Sequence, residues 1–268
     1  GGYITIKNNV SLDSRSTLDR TSSNISTATD GGNITLGGGS DLANSFALVN
    51  DDGQNAGIYL GTSANTNINI YSGGGDITMR GKSINATDGE SNGIMTYGGY
   101  TLDAGVAGNI DLIGEGGGGS YSAGVYTGYQ TADVASSLIK TTDGDITITG
   151  SSTGSSSGGN RGLILISGST HKMTIEATGT GNISLDGTGT SSTDPIDIYL
   201  SNGINILANS GTINICSSEL PTEYLDSTTI MVIRDSIVEK KLYLPKISLT
   251  LKKALFIYNV RNSLFKMI

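Results

Sequence analysis

The sequence predicts an all-β protein whose central part is a parallel β-helix, also called a β-solenoid. Three observations predict this fold. Apolar runs of three to five residues alternate with polar residues at a period of two, turns rich in glycine and serine separate them, and the pattern returns at intervals of 30 to 43 residues. Short alternating runs are typical of strands, and self-similarity at such a period is typical of repeat architectures.

Each repeat contains three strand-like phrases. The first phrase has glycine, then Asn or Asp, then alternating isoleucines, and it occurs at Gly32–Gly37, Gly75–Met79, Gly108–Leu112, Gly144–Ile148, Gly181–Leu185 and, in a degenerate copy, Gly211–Ile215. The second occurs at Gly57–Leu60, Gly93–Met95, Gly124–Tyr126, Gly162–Ile166 and Ile196–Ile198. The third leads into the next repeat and occurs at Ile68–Ile70, Tyr100–Leu102, Leu138–Ile139, Met173–Ile175 and Ile204–Ile206.

Stacking the repeats solves a burial problem, because a short strand with one apolar face cannot bury that face alone. Stacked units place isoleucine over isoleucine in a hydrophobic column and pair each backbone with its neighbours. The spacing leaves open whether a repeat winds once or twice around the column. The residues expected at the repeat corners are Asn33, Asp76, Asn109, Asp145 and Asn182. An antiparallel sandwich, or a trimer whose three chains share one column, is the alternative architecture.

Charge divides the chain into two parts. Residues 1–228 carry a formal charge of −14 and residues 229–268 carry +6, and the latter are also richer in apolar runs. We expect lead-in strands over residues 1–30, the solenoid over 31–216, and a basic, apolar β cap or trimerisation segment over 217–268. The acidic part argues against nucleic-acid binding, which depends on Lys and Arg contacts to phosphate. Since no apolar stretch approaches 18 residues, no membrane insertion by a helix is expected.

The repeat phrases resemble those of very large secreted β-helical surface proteins of the filamentous haemagglutinin type. The resemblance covers about residues 31–215 and lies in the recurring Gly-Asn/Asp-Ile-Thr-Ile phrase, the Gly/Ser loop and the following Gly-Ile/Val-x-Leu phrase. It implies an extracellular β-helical rod that acts in adhesion.

The C-terminal part has a second resemblance. Thr228–Ile233, Lys241–Ile247 and Lys253–Asn259 look like a segment common in tail or capsid fibres of bacteriophages and large viruses, where a strand ending in Leu-Pro precedes a loop and a further strand. That segment often closes a trimeric fibre, so the resemblance implies a homotrimer on a virion surface. In this sequence Ser248–Lys252 replaces the usual glycine-rich loop.

Residues that could carry out catalysis are few. His171 is the only histidine and lies in a polar turn, and Cys216 is the only cysteine, interpreted as a small buried or inert residue. Paired carboxylates of the kind that cleave polysaccharides exist at Asp143 and Asp145, and at Asp194 and Asp197 near Asp186. Because Asp145 takes the place of a corner asparagine and tryptophan is absent, we expect no catalytic residue, no cofactor and no bound metal.

Five tyrosines within residues 97–129 are the candidate contact residues: Tyr97, Tyr100, Tyr121, Tyr126 and Tyr129. If their rings share one face, they form an amphipathic patch suited to a glycan or protein receptor. The alternative is that they cover the rungs of the solenoid at the bases of the loops. The sequence thus predicts a non-enzymatic structural or adhesive fibre protein, extracellular or on a virion surface, that associates with itself as a homotrimer or filament. A polysaccharide-degrading tailspike and a surface-layer or matrix lattice protein are the alternatives.

Overall fold

The structure, a computed structural model, describes residues 2–16, 27–41, 44–49, 56–61, 67–84, 90–119, 121–128, 136–153, 159–167, 172–190, 197–201, 203–217, 240–244 and 247–251. The strands within them are β1 (Ile4–Ile6), β2 (Ser11–Asp13), β3 (Ile34–Leu36), β4 (Ala47–Val49), β5 (Ala56–Leu60), β6 (Asn67–Tyr71), β7 (Ile77–Ser83), β8 (Asn92–Thr96), β9 (Gly99–Asp103), β10 (Ile110–Gly116), β11 (Ala123–Thr127), β12 (Ser137–Thr141), β13 (Ile146–Ser152), β14 (Arg161–Ile166), β15 (Met173–Ala177), β16 (Ile183–Thr188), β17 (Ile198–Ser201), β18 (Ile204–Ala208), β19 (Ile213–Ser217), β20 (Lys240–Leu244) and β21 (Ile247–Leu251).

Three parallel sheets form a β-helix, which confirms the predicted fold class. Sheet A contains β1, β5, β8, β11, β14 and β17, and sheet B contains β2, β6, β9, β12, β15 and β18. Sheet C contains β3, β7, β10, β13, β16 and β19, and β4 also pairs with β7. The chain visits the sheets in the order A, B, C, so each repeat makes one coil and six coils stack. At the usual strand spacing, about 4.8 Å, the first and last coils lie about 24 Å apart.

The parallel pairing rules out the antiparallel sandwich, and one chain supplies all three sheets. The second phrase forms sheet A, the third forms sheet B and the first forms sheet C. Within the predicted lead-in region, β1 pairs with β5 and β2 pairs with β6 in the registers that later coils use, so these two strands stack on the solenoid. In the basic C-terminal part, β20 and β21 pair as an antiparallel hairpin.

The core is a set of columns that run along the solenoid axis. In sheet C the register stacks one isoleucine per coil: Ile34, Ile77, Ile110, Ile146, Ile183 and Ile213. The four isoleucines of the middle coils have no exposed side-chain surface, and the inward apolar residues of sheets A and B stack in equivalent columns. Period-two alternation therefore puts every second residue of each strand into one continuous core.

The corner between sheets B and C carries a hydrogen-bonded ladder of side chains. Asp76 N–H donates to Asn33 Oδ1, Asp145 N–H to Asn109 Oδ1, and Asn182 N–H to Asp145 Oδ1, each at 2.8 Å. Asn109 N–H donates to Asp76 Oδ1 at the same distance. The structure thus places all five corner residues at equivalent positions of successive coils, where each side chain satisfies a backbone donor that the turn leaves unpaired.

Sheets A and C meet backbone to backbone where sheet C ends and sheet A begins. Each middle coil has a glycine in both strands at this point, and the pairs are Gly81 with Gly93, Gly114 with Gly124, and Gly150 with Gly162. A Cβ atom on Gly81, Gly114 or Gly150 would overlap the carbonyl oxygen of its partner. Glycine is required here by close approach and not by a left-handed backbone.

Candidate functional site

The structure distributes the five candidate tyrosines over different environments. Tyr121 is 63% exposed and is one of two described non-glycine residues with positive φ, at 61°. Tyr97 is half-buried, whereas Tyr126 and Tyr100 are only 8% and 2% exposed. Tyr129 lies outside the described residues. Buried rings cannot contact a receptor, so Tyr100 and Tyr126 do not belong to an exposed patch.

Tyr100 is a core residue of sheet B. The register aligns it with Ile68 of the preceding coil, so it occupies a position where the repeat places aliphatic side chains. Its hydroxyl lies 3.9 Å from the sulfur of Met173 and interacts with the side chains of Thr127 and Thr96. Burial raises the pKa of Tyr100, and these threonines partly oppose the rise. The alignment of the third phrase was the sequence signal that pointed to this inward position.

Tyr126 belongs to a second apolar cluster on the opposite face of sheet A from the core. The register there aligns Tyr59, Met95, Tyr126, Ile164 and Tyr199 in one row along the solenoid. Met95, Tyr126 and Ile164 are buried, and Tyr97 packs against the same cluster. The guanidinium of Arg161 lies 4.6 Å from the centre of the Tyr199 ring. The rings of Tyr97 and Tyr126 thus pack in the apolar cluster on the outer face of sheet A.

The candidate catalytic carboxylates lie at separate places. Asp143 is exposed at the corner between sheets B and C, where its Oδ1 accepts the Thr180 N–H at 2.9 Å. Asp197 is buried at the start of sheet A, where its Oδ1 accepts the Gly189 N–H at 2.6 Å. Asp186 is exposed on the outer face of sheet C, and Asp194 lies outside the described residues. Asp143 binds a backbone amide of the next coil and Asp197 binds one within its own connection, and both contacts are structural.

Cys216 is exposed on the outer face of β19, so its interpretation as a buried residue is wrong. The reason is its position, because Cys216 pairs with the outward Asp186 and the inward neighbour is Ile215. His171 lies outside the described residues. Within the described ranges, no group of three or more His, Cys, Asp or Glu side chains is arranged to hold a metal ion.

The connections between strands differ in how constant their lengths are. In the second to sixth coils, the connections from sheet B to sheet C contain four to six residues and those from A to B contain two to nine. The connections from sheet C of one of these coils to sheet A of the next contain six to nine residues. The constant connection is the one that carries the Asn/Asp ladder. Length variation is therefore greatest at the two corners of the solenoid that flank sheet A.

A groove lies at the corner between sheets C and A, beside the connection that carries Tyr121. It has a volume of about 430 Å³ and is lined by Lys82, Ile84, Glu115, Gly117, Gly118 and Thr153, among others. Lys82 and Glu115 pair across neighbouring coils, and their side chains remain 39% and 35% exposed. Ile84 is 47% exposed. The groove is thus a mixed surface of paired charges, backbone and one aliphatic side chain.

The outer face of sheet C is acidic near the ladder. Asp111 lies between Thr78 and Thr147 of the neighbouring coils. Burial raises the pKa of Asp111, and the charges of Asp76 and Asp145 add to this, while Arg80 and a hydrogen bond from Thr147 oppose it. The folded state therefore disfavours the ionised form of Asp111 relative to an aspartate in water.

In the described part of the chain there is no helix of the length and apolarity needed to cross a membrane. No family model matches the chain, and comparisons with curated proteins and with solved structures give no significant match.

Proposed function

We propose that this chain is a non-enzymatic structural protein of an extracellular or virion surface, a stiff β-solenoid that presents its connections for attachment. The observation that carries the proposal is the uninterrupted register of three parallel sheets over six coils. Stiffness follows because bending such a stack in any direction would stretch the hydrogen bonds between strands on its convex side.

The lengths of the connections support attachment on the side of the solenoid that contains sheet A. The connections that vary in length join sheet A to its neighbours, sheets B and C. Loops of variable length on a rigid scaffold are where binding residues are usually found. Tyr121 lies in one of them, exposed and with a left-handed backbone that is unfavourable for an aromatic residue. Strain of this kind often accompanies a functional contact. A glycan or protein receptor on a host surface is the proposed partner, and self-association as a trimer or filament would multiply its contacts.

The test uses the full chain immobilised on beads. We expect the beads to retain cells or capsular polysaccharide, and we expect the polysaccharide to keep its chain length during incubation, as measured by size-exclusion chromatography. Shortening of the polysaccharide would contradict a non-enzymatic role and favour a depolymerase. Light scattering of the free protein gives its mass in solution, and a strictly monomeric protein would contradict self-association.

A matched pair of variants tests the side of attachment. Tyr121→Ser removes an exposed ring from the connection between sheets C and A, while Tyr3→Ser removes a ring that is 41% exposed before the first strand. We expect Tyr121→Ser to weaken retention several-fold and Tyr3→Ser to leave it unchanged. Equal effects of the two variants would contradict a receptor contact at the corner between sheets C and A.

A further inference from the structure

We infer that the groove between Lys82 and Thr153 is a binding site for one unit of a neutral sugar. The inference rests on the proposed attachment function and names the site and the class of ligand. The volume of the groove, about 430 Å³, falls in the lower part of the range of small-molecule sites, about 300–1,000 Å³. The groove belongs to the variable side of the solenoid, next to the connection that contains Tyr121.

The charges of the groove favour a ligand without net charge. Lys82 Nζ and Glu115 Oε2 form an ion pair between adjacent strands of sheet C, so the two charges compensate each other. Because the two charges compensate each other, the pair gives little net attraction to an anionic or a cationic ligand. A hydroxyl group can both accept from an ammonium and donate to a carboxylate, so a polyhydroxyl ligand can bind both partners of the pair at once.

The rest of the lining suits the two faces of a sugar ring. Ile84 offers exposed aliphatic surface to the C–H groups of a pyranose. Gly117 and Gly118 have no side chain, so the ligand can approach the backbone closely. Thr153 also lines the groove, and its hydroxyl lies 3.5 Å from the carbonyl oxygen of Gly116.

The pair that would bind the ligand is held in place before binding. The ammonium of Lys82 lies 6.0 Å from the centre of the Phe46 ring, which orients it from the side of the preceding coil. The Gly117 N–H donates to the carbonyl oxygen of Ser91 at 2.8 Å, and the Thr153 N–H donates to that of Gly116 at 3.4 Å. A site whose groups are fixed beforehand loses less entropy when it binds.

The experiment is saturation-transfer difference NMR on the full chain with a panel of methyl glycosides. The neutral probes are the glucoside, galactoside, mannoside, fucoside and N-acetylglucosaminide, and the charged probes are glucuronate and glucosamine. We expect at least one neutral probe to bind with saturation and more tightly than both charged probes. Absence of saturable binding by every neutral probe, or tighter binding of a charged probe, would overturn the inference.

Variants then locate the binding site. Lys82→Met and Glu115→Gln each leave one charge of the groove unpaired, and we expect each to raise the Kd of the neutral probe at least ten-fold. Ile84→Ser, which keeps the pair intact, is expected to raise it about three-fold. The matched control is a second ion pair between coils among the described residues, Lys140 with Glu176 at 3.3 Å on sheet B. Lys140→Met and Glu176→Gln should leave the Kd unchanged. If substitutions in both ion pairs raise the Kd equally, the probe does not bind in the groove.

The groove and the attachment function can fail separately. If Lys82→Met abolishes sugar binding but beads carrying this variant still retain cells, sugar binding in the groove is not the cause of attachment. The proposed attachment function would then remain. If the groove binds sugar but the beads retain nothing, the proposed function is wrong and the site remains. Circular dichroism and thermal melting of every variant show whether a loss of binding results from unfolding.

Discussion

The Oδ1 atom of Asp76 accepts a hydrogen bond from the backbone N–H of Asn109, one coil further along the solenoid, at 2.8 Å. The same bond joins each corner residue to the next, from Asn33 to Thr212. Asn and Asp alternate along this row, so no two carboxylates occupy neighbouring coils. Asn and Asp both supply the acceptor oxygen, so hydrogen bonding does not explain the alternation, and we infer an electrostatic reason. Carboxylates in neighbouring coils would be about 4.8 Å apart and would repel each other. Carboxylates two coils apart are separated by about one Debye length, so their repulsion is screened.

Asn109→Asp tests this reason. The substitution keeps the acceptor but puts a third charge between Asp76 and Asp145, so we expect the free energy of unfolding to fall by about 1 kcal/mol for each neighbouring carboxylate at low salt. Added salt should recover much of the loss. Denaturant unfolding at two ionic strengths measures it, and Asn214→Asp is the control because its partner in the preceding coil is Ser184. A loss that does not respond to salt would contradict the explanation.

Tyr100 fills space that a small neighbour leaves. The register places Ser137 between Tyr100 and Met173 in the same column of sheet B. We expect Tyr100→Ala to cost about 3–5 kcal/mol because it opens a cavity in the core, and Tyr100→Phe to cost about 1 kcal/mol because it removes only the hydroxyl. Thermal and denaturant unfolding measure both. A loss below about 1 kcal/mol for Tyr100→Ala would show that the ring is not part of the packed column.

Gly114→Ala tests the contact between sheets A and C. The added methyl group would overlap the carbonyl oxygen of Gly124, so either sheet must shift, and we expect a loss of about 3 kcal/mol or failure to fold. Gly32→Ala is the matched control, because a Cβ atom there meets nothing within 4 Å. Soluble yield and the midpoint of unfolding measure the difference. Equal stability of the two variants would mean that the sheets do not approach as closely as described.

Asp111 predicts a dependence of stability on pH. Because the folded state raises the pKa of this carboxyl above its ordinary value of 3.8, its contribution to stability is fully present below that pH and is lost as the pH rises through the folded pKa. Asn cannot ionise, so Asp111→Asn should be more stable than the original protein at pH 7, by up to about 0.5 kcal/mol. The gain should disappear at low pH. Thermal melts across pH 3–7 measure it, and Asp186→Asn controls for the removal of one exposed charge.

The fold could be predicted from the sequence because its signals are local. Ile77, Ile110 and Ile146 occupy the same place in successive copies of one phrase, so their stacking follows from the copies themselves. The corner residues could be identified in the same way. The candidate contact residues could not, because Tyr126 alternates outward from the core and only the second cluster on sheet A shows that its ring is buried.

The sequence by itself determined the period, the three strands of each repeat and the inward set of side chains, since these follow from alternation along the chain. Only the tertiary structure decided that each repeat makes one coil, that β1 and β2 belong to the first coil, and that glycines join sheets A and C. It also brought Lys82 and Glu115, from different repeats, to the same groove. The physical reason is that these features depend on which surfaces approach each other through space, and alternation along a strand fixes the face of a side chain but not what comes to lie against it.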